Sequence, residues 1–144
     1  MAVHYYMDQE NDLLVGEISG VTVVDDVIKA AHKIFTETGG TAFYKNTLVV
    51  VEPDTLASLM DVDALIRLRS FLESWGDRLP GRKIRTVFLC EDPNFRPLLL
   101  KRWQELSKDT TNYEADVRIM TNREDAIAWL KEVKPAQPDL TRAR

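Results

Sequence analysis

The chain has 144 residues, a length that fits one domain. Hydrophobic residues make up 44% and charged residues 29%, so the chain can bury a core and is not expected to be disordered. Nineteen basic residues against twenty-three acidic ones give a net charge of −4, without the basic excess that nucleic-acid binding needs. No apolar run reaches the roughly 18–20 residues that cross a bilayer, so no membrane span is expected. The opening MAVHYYMDQEND has no basic stretch followed by an apolar one, so no secretion signal is expected. Cys90 is the only cysteine, which excludes an intrachain disulfide and points to a reducing, cytoplasmic setting.

Residues 3–6 are rich in β-formers, residues 8–12 (DQEND) carry turn chemistry, and residues 13–19 (LLVGEIS) read as a second strand. A polar connection this short makes the pair an antiparallel hairpin. Gly16 inside the second strand marks a bulge or a close backbone approach. After Gly20, Val24, Val27, Ile28, Ala31, Ile34 and Phe35 recur at three- and four-residue steps, the stripe of an amphipathic helix. Thr22 and Asp25 have capping-box spacing at its start, and Gly39-Gly40 ends it. Residues 47–51 (TLVVV) are apolar on successive positions, as in a central strand covered on both faces.

A second helix places Val62, Leu65, Leu68, Leu72 and Trp75 on one stripe, with Ser58 or Asp61 as cap and Gly76 as stop. Residues 83–90 (KIRTVFLC) form the next strand. Asp92 caps a third helix with Pro93 at its first position, and Phe95, Leu98, Leu99, Trp103 and Leu106 form its inner face. Residues 116–120 (DVRIM) are the last strand. Thr121 and Glu124 make a capping box for a closing helix that carries Ala126, Ile127, Trp129 and Leu130. The order β-β-α-β-α-β-α-β-α predicts an α/β domain with a mixed five-stranded sheet covered by helices, antiparallel only at its opening hairpin. It spans residues 1–134, and residues 135–144 are expected to form a flexible tail.

This order, with LVGEISGVTVVDDV, TLVVVEPD, RTVFLCEDP and RIMTNREDAIAWL in place, resembles the STAS/SpoIIAA-like superfamily, in particular its stand-alone bacterial branch. The resemblance covers roughly residues 3–133 and implies a SpoIIAA-like fold and a regulatory, protein-binding domain without catalytic activity. Some members of the superfamily are anti-sigma-factor antagonists switched by phosphorylation of a serine at the start of the helix after the central strand. Others resemble the related CRAL-TRIO lipid-binding fold, which implies a small apolar or amphipathic ligand in a cleft between the second and third helices. The switch serine sits in a D-S-T-G-L-like stretch. The matching stretch here is Asp61-Val62-Asp63-Ala64-Leu65, where Val62 has no hydroxyl and two aspartates would repel a phosphate. The phosphoswitch is therefore not carried over, and Ser58 reads as a helix cap.

Cys90 and Arg96 match the C-x(5)-R spacing of cysteine phosphatases, in a strand-loop-helix context. Glu91 and Asp92 beside the thiol oppose its ionisation, Pro93 removes an N–H donor and no glycine opens the loop, so a buried structural cysteine is the expectation. Glu52, Asp54, Asp61, Asp63, Glu91 and Asp92 gather at strand carboxyl ends, where open α/β sheets bind ligands, but without calcium-loop spacing. No metal or cofactor is expected. Arg78, Arg82, Lys83 and Arg85, with Arg67 and Arg69 nearby, form a basic run that fits an acidic partner or, more plainly, a solvated surface. A partner or ligand surface is expected around Ser58, Asp61, Asp63, Arg82, Arg85, Phe95 and Arg96. The three tryptophans read as core, or two of them as walls of a ligand cleft. Tyr5, Tyr6, Phe43 and Tyr44 are expected as an exposed aromatic patch able to seed self-association, with the opening strand as a pairing edge for a homodimer.

Overall fold

The structure, a computed structural model, describes residues 3–20, 23–52, 62–79, 82–90 and 113–135. Five strands, β1 (Val3–Asp8), β2 (Leu13–Ile18), β3 (Thr47–Val51), β4 (Arg82–Cys90) and β5 (Tyr113–Met120), form one sheet in the order β1-β2-β3-β4-β5. β1 runs antiparallel to β2, and every other neighbouring pair is parallel. The described helices are α1 (Val24–Glu37), α2 (Val62–Arg78) and α3 (Arg123–Lys131), with a one-turn 3-10 helix at Thr41–Tyr44. The expected mixed α/β sheet is thus present, with TLVVV at its centre. The third expected helix and the tail beyond residue 135 lie outside the described residues.

Alternation along each strand sends successive side chains to opposite faces, and two cores result. On one face Leu14, Ile18, Val49, Val51 and Cys90 pack under α1 and α2, joined by Ala31, Phe35 and Trp75. On the other, Leu13, Val15, Leu48, Val87 and Leu89 pack under Ala126, Trp129 and Leu130 of α3. β3 needs no polar face because both of its faces are covered.

The hairpin turn is held by Asp8, whose carboxylate accepts from the Asn11 backbone N–H at 3.2 Å and from its side-chain amide at 2.9 Å. The register from Val3↔Ile18 to Asp8↔Leu13 is unbroken, so Gly16 marks a close approach and not a bulge. A Cβ at Gly16 would stand 2.5 Å from the ring of Tyr5, its cross-strand neighbour. α1 ends as its glycine pair predicts. Gly39, at φ 62°, donates to the Thr36 carbonyl at 3.1 Å, and Gly40, at φ 92°, donates to the Phe35 carbonyl at 2.8 Å. These two bonds close a Schellman motif.

Three local expectations are corrected. α1 begins after Val23, which offers no side-chain cap, while Thr22 lies outside the described residues. α2 runs through Gly76 to Arg78, and the Leu79 N–H still donates to the Trp75 carbonyl at 2.8 Å. Trp75 and Leu79 are both anchored in the core, which outweighs the ~1 kcal/mol a mid-helix glycine costs. α3 is capped by Asn122, whose side chain accepts from the Asp125 N–H at 2.9 Å, and not by Thr121. Both positions have an acid three residues on, and β5 reaching Met120 moves the helix start one residue later.

The expected exposed aromatic patch is also corrected. Phe43 and Tyr44 lie in the 3-10 helix at 0% and 1% exposure, and Tyr5 and Tyr6 are half-buried. Phe43 stacks edge-on to Phe35 at 5.4 Å between ring centres, and Phe35 in turn to Trp75 at 5.3 Å. A short polar-looking connection between helix and strand is in fact a plug of the core.

Candidate functional site

The carboxyl ends of the parallel strands are the first place to look for a ligand. There the Glu52 N–H donates to the Ile18 carbonyl at 2.9 Å, and Asp63 stands exposed in the first turn of α2, where its charge suits the helix dipole. Asp54, Ser58, Asp61, Glu91, Asp92, Phe95 and Arg96 lie outside the described residues, as does the side chain of Arg82. Among the described residues no three His, Cys, Asp or Glu side chains form a metal-ligating group.

Cys90 ends β4 at 0% exposure among Val3, Ile18, Val27, Val49 and Val51. This is the buried structural cysteine that the acidic loop sequence implied. Among the described residues its packing neighbours are apolar and its side chain is closed to solvent, surroundings that do not favour a thiolate.

The described arginine side chains of the basic run, Arg67, Arg69, Arg78 and Arg85, do not gather into one patch. Arg67 pairs with Asp25 of α1, and Arg69 pairs with Glu73 at 3.5 Å one helical turn on. The Arg78 guanidinium lies over the Trp75 ring, 4.3 Å from its centre. Arg85 points to the opposite face of the sheet. There its guanidinium donates to the Trp129 carbonyl at 2.8 Å, approaches Glu132 at 3.6 Å and lies 4.6 Å from the Trp129 ring centre. Arg118 takes a second position over that ring at 4.4 Å. Arg85 is thus a tether for α3, while Asp63 stands beyond the other end of the sheet. Of the expected surface, only Asp63 is placed as an exposed group at the strand carboxyl edge.

A buried polar residue that joins segments distant in the chain was not singled out by sequence. Asn46, 3% exposed just before β3, donates through its amide to the Leu130 carbonyl at 2.6 Å and the Val133 carbonyl at 2.7 Å. Its Oδ1 accepts the Arg85 backbone N–H at 2.8 Å, and its own carbonyl accepts the Leu14 N–H at 3.0 Å. Asn46 therefore closes the C-terminus of α3 and reaches β4 through its side chain, while its backbone carbonyl joins the start of β3 to β2. The only signal in sequence is an amide residue directly before an apolar strand. Beside it Asp12 accepts from Lys45 at 2.5 Å and meets Lys134 at 3.5 Å. The Lys45 hydrogen bond holds the Asp12 carboxyl below its usual range, and the Asn11 bonds do the same for Asp8. These groups clamp the hairpin turn to the end of α3 and form a structural network.

Strand order adds a topological fact. In doubly wound sheets a ligand crevice opens where the strand order reverses and helices diverge to opposite faces. Here β2, β3, β4 and β5 follow in sequence order without reversal, and α1 and α2 lie side by side on one face. No such crevice arises among the described strands. No family model, curated protein or solved structure matches the chain. No described helix is long and apolar enough to cross a membrane.

Proposed function

We propose that this chain is a non-enzymatic, cytoplasmic interaction domain of the STAS/SpoIIAA-like kind, regulating a protein partner without the serine phosphoswitch. The observation that carries the reading is the unreversed strand order with α1 and α2 on one face. It supports a scaffold that presents a surface in preference to one that encloses a substrate. The burial of Cys90 is in keeping with this, since the one nucleophile flagged by its spacing is withdrawn into the core. The partner meets the start of α2, where Val62 replaces the switch serine and Asp63 is exposed.

The alternative, a module for a small apolar ligand, requires a cleft between α2 and the following helix in which Trp75 is a wall. Trp75 is instead packed against Phe35, Phe43 and the Arg78 guanidinium. Trp129 lies on the other face of the sheet, so these two tryptophans do not share a cleft.

A photo-crosslinking side chain at position 63, compared with one at exposed Glu37 of α1, tests the interaction reading in the native cytoplasm. The expected result is one discrete protein adduct at 63 and none at 37. Adducts absent from 63, or turnover of a substrate by the purified chain, overturn it. A lipid mass retained in native mass spectrometry replaces it with the ligand reading.

A further inference from the structure

The two margins of the sheet are built differently. β5 carries Glu114, Asp116 and Arg118 within eight residues, the charged pattern that keeps an edge strand from pairing with another chain. β1 reads Val-His-Tyr-Tyr-Met-Asp, with no lysine, no proline and a register to β2 that no bulge interrupts. Its only sheet partner among the described strands is β2. Tyr5, Tyr6 and Met7 along it are half-buried, so apolar surface remains for a neighbour to cover.

From this asymmetry we infer that β1 pairs antiparallel with β1 of a second copy of this chain, about a two-fold axis at Tyr6. Such an axis is perpendicular to the sheet and keeps its faces, so it must pass through a residue position and pair residues of like parity. With Tyr6 on the axis, Tyr5 meets Met7 of the partner subunit and His4 meets Asp8 of the partner subunit. His4 is exposed and already has Glu17 opposite it on β2. The added strand gives it a carboxylate on its other side as well. An axis at Tyr5 instead places His4 opposite an aromatic ring and leaves Asp8 beyond the paired residues. Self-complementary pairing of an imidazole donor with a carboxylate acceptor therefore selects both the occupant and the register. The inference goes beyond the interaction role proposed above and does not depend on it.

Sedimentation velocity of the full chain across the micromolar range reads the association, and two substitutions read the register. His4→Asp, made in a Glu17→Gln background so that no like charge faces it on β2, brings like charges together twice per dimer and is expected to raise the dimer Kd about tenfold or more over Glu17→Gln alone, with an unchanged circular dichroism spectrum. Tyr6→Cys puts two thiols directly opposite at the ~4.5–5.5 Å Cα spacing that a disulfide bridges, so it is expected to give a covalent dimer under mild oxidation. Tyr5→Cys, offset by two residues from its own copy, is expected not to, and buried Cys90 is expected to leave the native chain uncrosslinked. A native chain that stays monomeric, a dimer indifferent to His4→Asp, or crosslinking at position 5 in place of 6 overturns the inference.

Discussion

Asn46 and Leu130, 84 residues apart, are joined by a side-chain amide donating to a helix-terminal carbonyl at 2.6 Å. A carbonyl in the last turn of α3 has no partner within its own helix, and here the start of a strand supplies one. Asn46→Ala removes this partner from the Leu130 carbonyl in a buried position and from the Val133 carbonyl and the Arg85 N–H in part-buried ones. The expected loss is about 2–4 kcal/mol by urea denaturation, since each stranded polar group costs ~1–3 kcal/mol and some readmit water. Asn46→Asp retains the shape but removes the donor, and is expected to be at least as destabilising at neutral pH.

Tyr5 lies across Gly16, and the two form one packing unit on the α1 face. Gly16→Ala drives a methyl into the ring and is expected to cost about 1–3 kcal/mol, the usual scale of overpacking. Combining it with Tyr5→Ala removes the obstruction. The double variant is therefore expected to lose less than the sum of the two single losses, by a double-mutant cycle of unfolding free energies.

Arg85 is expected to tolerate no conservative exchange. Arg85→Lys keeps the charge but gives up the planar stack on Trp129 and the directed bond to its carbonyl. A loss of about 1–2 kcal/mol is expected, against about 0.5–1 kcal/mol for Arg118→Ala at its exposed position over the same ring. Hydrogen exchange should show the difference in α3, with amides near Trp129 less protected in Arg85→Lys only.

Acid should loosen the hairpin end first. Asp12 is held below its ordinary pKa by the Lys45 hydrogen bond, and Asp8 by the Asn11 hydrogen bonds. A folded-state pKa below the unfolded one contributes stability at pH values above the unfolded value of about 3.9, and that contribution is lost as pH falls through the folded value. Stability is therefore expected to be flat with respect to these two groups near neutrality and to drop below about pH 4. Asp8→Asn and Asp12→Asn should flatten that drop in urea midpoints measured from pH 5 downward. A drop of unchanged steepness in the double variant would assign it to other carboxylates.

The period of apolar residues carried the order of the described strands and helices, and it placed residues 47–51 at the centre, because a strand apolar on successive positions is stable only when both faces are covered. Gly16 and the Gly39-Gly40 pair were legible for the same local reason: a side chain would collide there or the backbone would be strained. Local pattern was silent on which of several neighbours a residue meets. It could not tell that Phe43 and Tyr44 turn inward, that α2 passes through Gly76, or that Asn122 and not Thr121 takes the cap. Nor could it separate Arg85 from the arginines preceding it, since strand alternation sends its side chain to the far face, onto Trp129. Asn46 shows the division most plainly. Asn46 is an ordinary polar residue along the chain, and it becomes the joint of three strands and a helix only when the sheet brings Leu14 to its carbonyl and Arg85 and Leu130 to its side chain. Periodicity acts over a few residues and selects elements, whereas contacts across tens of residues exist only once those elements have packed.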